Sequence, residues 1–199
     1  MTKRNRLYLF SAMLLVCALA SQATCAQTTY RIKESKDIDM KLSGTSTLHK
    51  WTMDAKTFTG QGEFELGKNE TLQGLHSMTF ALNVKDLKSG DKGLDKNAYK
   101  ALKATEFKDI LYKLSSATVG QETNGKYLVK TKGDLTIAGV THVVDMNVYF
   151  IINKDGTISC SGSEKLKMTD YQVKPPSFML GAMKTGDDIT LDFRIIYSQ

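Results

Sequence analysis

The sequence predicts an all-β protein, an antiparallel barrel of about eight strands with one short α-helix. Three observations carry that expectation. Apolar residues recur at every second position through most of the chain beyond residue 30, the period of a strand with one buried face. The gaps between these runs are rich in Gly, Asn and Asp, which tolerate positive φ or bond their own backbone. One stretch alone carries helical spacing.

In chain order, Ile38, Met40 and Leu42 alternate with Asp39 and Lys41. Met78, Phe80, Leu82 and Val84 alternate with Thr79, Ala81 and Asn83. The helical stretch is Ser89 to Lys103, with Leu94, Ala98, Ala101 and Leu102 on one face, Asp91 as the cap and Lys100 and Lys103 in the last turn. Ile110, Tyr112 and Leu114 alternate with Leu111 and Lys113, and Val144, Met146, Val148 and Phe150 with Asp145, Asn147 and Tyr149. The last run sets Ile189, Leu191, Phe193, Ile195 and Tyr197 against Thr190, Asp192 and Arg194. Turns are expected at 67–70, 120–125, 153–156 and 185–188, and the only prolines, Pro175 and Pro176, interrupt no run. Strands joined mostly by hairpins, with no repeat or linker, point to a lipocalin-like barrel.

Composition narrows the function. The chain has 199 residues, 41% hydrophobic and 24% charged, the usage of a globular domain. Its formal charge is +6, but Lys3, Arg4 and Arg6 lie in the first six residues, and without them the excess falls to +3. So small and scattered an excess excludes nucleic acid, which needs a concentrated basic face. Two of the three cysteines, Cys17 and Cys25, precede residue 27, so a disulfide framework and a CxxC zinc site are excluded. The third, Cys160, reads as a buried small hydrophobe.

Segment 1–26 pairs the basic start with the apolar run Leu7 to Ala20, which is shorter than the roughly 20 residues a membrane-spanning helix needs. It reads as a secretory signal peptide cleaved after Ala26, leaving 27–199 as one domain. Lipidation at Cys25 is disfavoured, because Gln22-Ala23-Thr24 lacks the leucine expected three residues before a lipidated cysteine.

An eight-stranded barrel is just wide enough to be filled by side chains or to hold one small ligand. The candidate inner wall is Met40, Leu42, Trp51, Met53, Phe64, Met78, Phe80, Leu82, Met146, Val148, Leu191 and Phe193. Flexible methionines among aromatic rings suit a wall that adapts to an apolar guest. A solid, methionine-rich core meets the same periodicity.

No polar constellation competes with that wall. His49, His76 and His142 have no His or Cys at metal-ligand spacing, so no metal site is expected. No Gly-x-Ser-x-Gly elbow, phosphate-binding glycine loop or His-Glu-x-x-His occurs, and no catalytic residue is assigned. His142 and Asp145 are three apart on a strand, which puts them on opposite faces. Lys165, Lys167, Lys174 and Lys184 cluster near the last loop with Tyr171 and Phe178. The rim expected at a tunnel mouth is Tyr171, Lys174, Phe178 and Lys184, able to attract a lipid phosphate or a membrane surface.

Four stretches carry a family likeness: Leu42-Ser43-Gly44-Thr45-Ser46-Thr47-Leu48-His49-Lys50-Trp51; Lys100 to Ile110 around Ala104-Thr105-Glu106-Phe107; Gly133-Asp134-Leu135-Thr136-Ile137-Ala138-Gly139-Val140-Thr141-His142; and Leu166 to Tyr171 with Pro175-Pro176 and Gly186 to Leu191. Together they resemble the YceI family of secreted lipid-binding proteins. Lys108 stands where that family commonly has proline. The resemblance implies an extended lipocalin-like barrel in a bacterial periplasm, whose apolar tunnel binds a long isoprenoid lipid such as a polyprenyl chain or a quinone. It implies no catalyst and no cofactor beyond that guest. Two rivals stand beside this carrier: an enzyme acting on a lipid in the same cavity, and a solid-core envelope module working through its loops.

The leader reading fixes one mass. The secreted protein should start within two or three residues of Gln27, and intact-mass measurement showing acyl chains on Cys25 would replace cleavage after Ala26 with a lipoprotein.

Overall fold

The computed structural model describes residues 28–178 and 183–199; residues 1–27, which include the segment read as a signal peptide, and residues 179–182 lie outside the described residues. In order come β1 (Thr28–Ile32), β2 (Asp39–Ser46), β3 (Lys50–Ala55), β4 (Thr59–Leu66) and β5 (Leu72–Asn83). Then follow α1 (Lys92–Ala101), β6 (Asp109–Thr123), β7 (Lys126–Ile137), β8 (Val140–Ile152), β9 (Ile158–Lys167), β10 (Ser177–Phe178) and β11 (Met183–Ser198). Strands β1, β4, β5, β6, β7, β8, β9 and β11 are hydrogen-bonded in that spatial order and β11 returns to β1, so eight strands close a ring. This is the expected antiparallel barrel.

Closure depends on β11 dividing one edge between two partners. Its other edge follows β9 from Asp188 to Tyr197. The divided edge meets β2 from Thr185 to Arg194, and β1 only at Tyr197 and Ser198. The β2–β3 hairpin therefore lies outside the ring and extends the wall at one end, the mouth. The hairpin and the two-residue β10 account for the strands beyond eight.

At the opposite end four rings make a floor. Phe64 is fully buried and meets Tyr30, Phe150 and Tyr197 edge-on, with centroids 5.4, 5.8 and 5.6 Å away. They come from β4, β1, β8 and β11, so the floor forms where the ring closes.

The helix is where the spacing placed it. The Asp91 carboxylate accepts hydrogen bonds from the backbone N–H groups of Leu94 (2.9 Å) and Gly93 (2.6 Å), which hold its carboxyl below the ordinary range. Leu94, Ala98, Ala101 and Leu102 pack toward the core.

Two expected turns are strand instead. Residues 120–123 belong to β6, and only Asn124 and Gly125, both at positive φ, make the turn. Residues 185–188 lie inside β11 beside a register irregularity. A Cβ on Gly186 would come 2.6 Å from Thr45 Oγ1, so glycine serves close strand approach there, not chain reversal. Val84, read as the end of an alternating run, sits in a single helical turn, Val84–Asp86, where the Asn83 side chain accepts from the Lys85 N–H.

Phe64→Ala should lower unfolding free energy by about 3–5 kcal/mol, because it empties the floor at the site of ring closure. Urea denaturation checks it, and a loss below about 1 kcal/mol would show that the floor does not hold the ring.

Candidate functional site: two adjoining apolar cavities

Between floor and mouth the barrel is hollow. The space open to the centre of a water molecule is about 130 Å³, roughly ten times the 10–15 Å³ that one water requires. Periodicity left a solid core open, and the structure decides for a hollow one. A second cavity of about 80 Å³ lies at the mouth, walled by α1, the β2–β3 hairpin and the segment from Met168 to Pro176. The two share Leu42, Leu102, Ile137 and Ile189 as a common wall.

Strand alternation delivers most of this lining. Met40, Leu42, Met78, Phe80, Leu82, Met146, Val148, Leu191 and Phe193 line the barrel cavity, and Trp51 and Met53 line the mouth cavity with Leu42. Phe64 corrects the expectation: it faces neither cavity, because its neighbours in the floor enclose it completely. Gly162, paired with both Val148 and Phe193, makes room for the Phe193 ring, since a Cβ there would come 2.6 Å from Phe193 Cζ. Trp51 is oriented by its indole N–H, which donates to the Thr45 carbonyl at 3.0 Å.

The expected rim separates into parts. Tyr171 is buried at 2% exposure, lines the mouth cavity and stacks edge-on against His142, centroids 5.2 Å apart. Its place is in the wall, because the single helical turn Thr169–Tyr171 folds it inward. Lys174 and Lys184 are exposed. Phe178 has its backbone in β10, while its side chain lies outside the described residues. Lys167 pairs with Asp188 at 2.9 Å.

Several lining residues escaped the sequence reading. Leu94, Ala98, Ala101 and Leu102 of the helix line the mouth cavity, and their shared face was the available signal. Met168, Val173 and Thr185 gave none, because they follow no period. Glu164 lies on β9 on the same face as Ile158, Cys160 and Leu166, where Gly162 and its own charge interrupt the apolar run.

Polar chemistry in the barrel wall is sparse. Thr131 donates to the Met146 carbonyl at 3.3 Å, and the Tyr112 hydroxyl lies near Thr131 without hydrogen-bond alignment, over Gly133. Burial pushes the Cys160 thiol far above its ordinary range, which makes it a poor nucleophile. Burial, then the Asp170 and Glu164 carboxylates, push the Tyr171 phenol up to about 12, and its hydroxyl has no hydrogen-bond partner among the described residues. Glu164 is the one charged residue in the barrel-cavity wall among the described residues. Burial, with some repulsion from Asp145, raises its carboxyl pKa. His76 pairs with Glu65 at 2.8 Å, and no three His, Cys, Asp or Glu side chains gather as a metal site among the described residues.

The family model for the YceI-like domain matches residues 26–197. The chain belongs to the YceI-like family. Solved structures show the same barrel. Burkholderia cenocepacia BcnA superimposes with a TM-score of 0.65 at 18% identity, covering 84% of this chain and 99% of its own. A polyisoprenoid binding domain from Saccharophagus degradans, implicated in plant cell wall breakdown, gives 0.64 at 11% identity, covering 87% and 99%. The YceI protein of Campylobacter jejuni gives 0.57 at 19%, covering 74% and 84%. At these identities the likeness concerns the fold. No curated protein is a significant match.

The half-buried Glu164 carboxyl generates a pH prediction. With its pKa raised, Glu164 keeps its proton to higher pH in the folded chain than in the unfolded one, so its contribution to stability falls as pH rises through that interval. Glu164→Gln should therefore gain on the wild type as pH rises above about 4, where the carboxyl of the unfolded chain ionises, as read from urea midpoints. Parallel profiles would place the carboxylate in bulk water.

Proposed function

We propose that this protein is a non-catalytic periplasmic carrier or sequestering protein for a long apolar lipid of polyisoprenoid or isoprenoid-quinone type. The observation that carries the reading is the hollow barrel with an apolar wall, continued at the mouth by a second apolar cavity behind α1. A chain that occupies both passes the shared wall of Leu42, Leu102, Ile137 and Ile189. Membership of the YceI-like family supports it, as does the structural likeness to a domain described as polyisoprenoid-binding.

The mechanism is burial. At about 25 cal/mol per Å² of apolar surface, shielding a few hundred Å² of lipid gives micromolar or better affinity after the cost of association. Wall side chains contribute shape and not chemistry. His142 and Asp145 alternate across the faces of β8, and the Cys160 thiol is held protonated. The leader read in segment 1–26 supports export to the periplasm. No cofactor is part of the reading beyond the bound lipid.

Native mass spectrometry of protein purified from its own host, paired with Val148→Trp, tests the proposal. Val148 is buried at 4% exposure and faces the barrel cavity. A co-purifying lipid is expected on the wild type. The indole should occupy guest space, leaving near-native melting without lipid and sharply reduced binding. Destabilisation by about 1–3 kcal/mol would mean that the site behaves as a filled core. A turned-over product on the wild type would favour the enzyme, and a stable variant that binds normally would place the guest elsewhere.

A further inference from the structure

The most exposed large apolar side chain among the described residues is Leu48, at 66%. It stands at the tip of the β2–β3 hairpin, and the tip is built to hold it there. The Ser46 hydroxyl accepts from the N–H groups of Leu48 (3.4 Å) and His49 (3.2 Å) and donates to the His49 carbonyl (2.9 Å). The Ser46 N–H donates to the same carbonyl at 2.9 Å. The tip is tied to β11, where the Thr47 N–H donates to the Lys184 carbonyl (3.0 Å) and the Lys184 N–H to the Thr47 hydroxyl (3.3 Å). A leucine at the end of so tightly bonded a turn is displayed by the backbone and cannot fold back onto the wall.

Cations flank it. Lys50 opens β3, Lys184 lies beside Thr47, and both are exposed with no acidic partner among the described residues. The residues just behind them, Trp51 and Thr185, line the mouth cavity. The same hairpin therefore presents an apolar point and two cations outward, and a cavity wall inward.

We propose that the β2–β3 tip is a membrane-docking element that sets Leu48 into the headgroup layer of an anionic bilayer and brings the mouth cavity to the lipid surface. The occupant follows from charge complementarity, since lysines beside an apolar anchor match anionic headgroups above acyl chains. The proposal rests on the carrier reading for its purpose, and its test separates the two.

Sedimentation with phosphatidylglycerol-rich vesicles reads docking, and quenching of Trp51 fluorescence by detergent-dispersed geranylgeraniol, without vesicles, reads guest binding. Leu48→Ser should lower vesicle partitioning about tenfold. Lys50→Glu and Lys184→Glu should each lower it roughly fivefold or more, and added salt should weaken the wild type. Leu48→Ser and Lys50→Glu alter exposed side chains outside the rim and the cavity walls and should bind geranylgeraniol as the wild type does. Variants that sediment like the wild type overturn the proposal, as does a wild type that ignores anionic vesicles or takes neutral phosphatidylcholine ones equally. A wild type that docks through Leu48 but never responds to geranylgeraniol sinks the carrier reading and leaves docking standing.

Discussion

The interior exists because one edge of β11 serves two partners in turn, β2 and then β1. A sixteen-residue strand twists as it runs, and the edge that faces β2 near the mouth has turned toward β1 by Tyr197. Where β1 takes over, the ring is tight and four aromatic rings fill it. Where β2 occupies the edge, the wall leans outward, and α1 with the Met168–Pro176 segment covers the widened end. Register enforces the arrangement, since a slip of one residue would turn Leu191, Phe193 and Ile195 outward and bring Asp192 and Arg194 inward.

Alternation reported what each strand does by itself. The inner faces of β8 and β11 were readable because Val144 to Phe150 and Ile189 to Tyr197 hold period two without interruption. Asp91 announced α1 through its capping chemistry. What stayed hidden depended on contacts between distant segments. Phe64 and Phe80 are both phenylalanines on inward-facing positions, and only the meeting of β1, β4, β8 and β11 makes one of them floor and the other cavity wall. Gly186 looked like a turn because glycine marks turns locally, whereas its use is to let Thr45 come close. Tyr171 looked like rim because its loop is lysine-rich, and one helical turn folds it beneath the surface.

A hollow barrel has an energetic signature. At roughly 24 cal/mol per Å³, leaving a space of about 130 Å³ unfilled would cost about 3 kcal/mol relative to a filled interior. That is a sizeable part of the roughly 5–15 kcal/mol that holds a domain folded. Methionines along the wall limit the cost, because unbranched thioethers settle into irregular space with little strain. Anything that fills the space returns the lost contacts, so occupancy and folding stability are linked.

The floor built around Phe64 would also govern the traffic of any guest. Rings that leave no gap at that end make the barrel a cul-de-sac, unlike a pore with an entrance and an exit. Whatever goes in comes out backwards, its leading end last, and a second molecule waits until the first has gone. Exchange in such a compartment runs as alternating visits and not as continuous flow, so throughput is set by the residence time of one occupant.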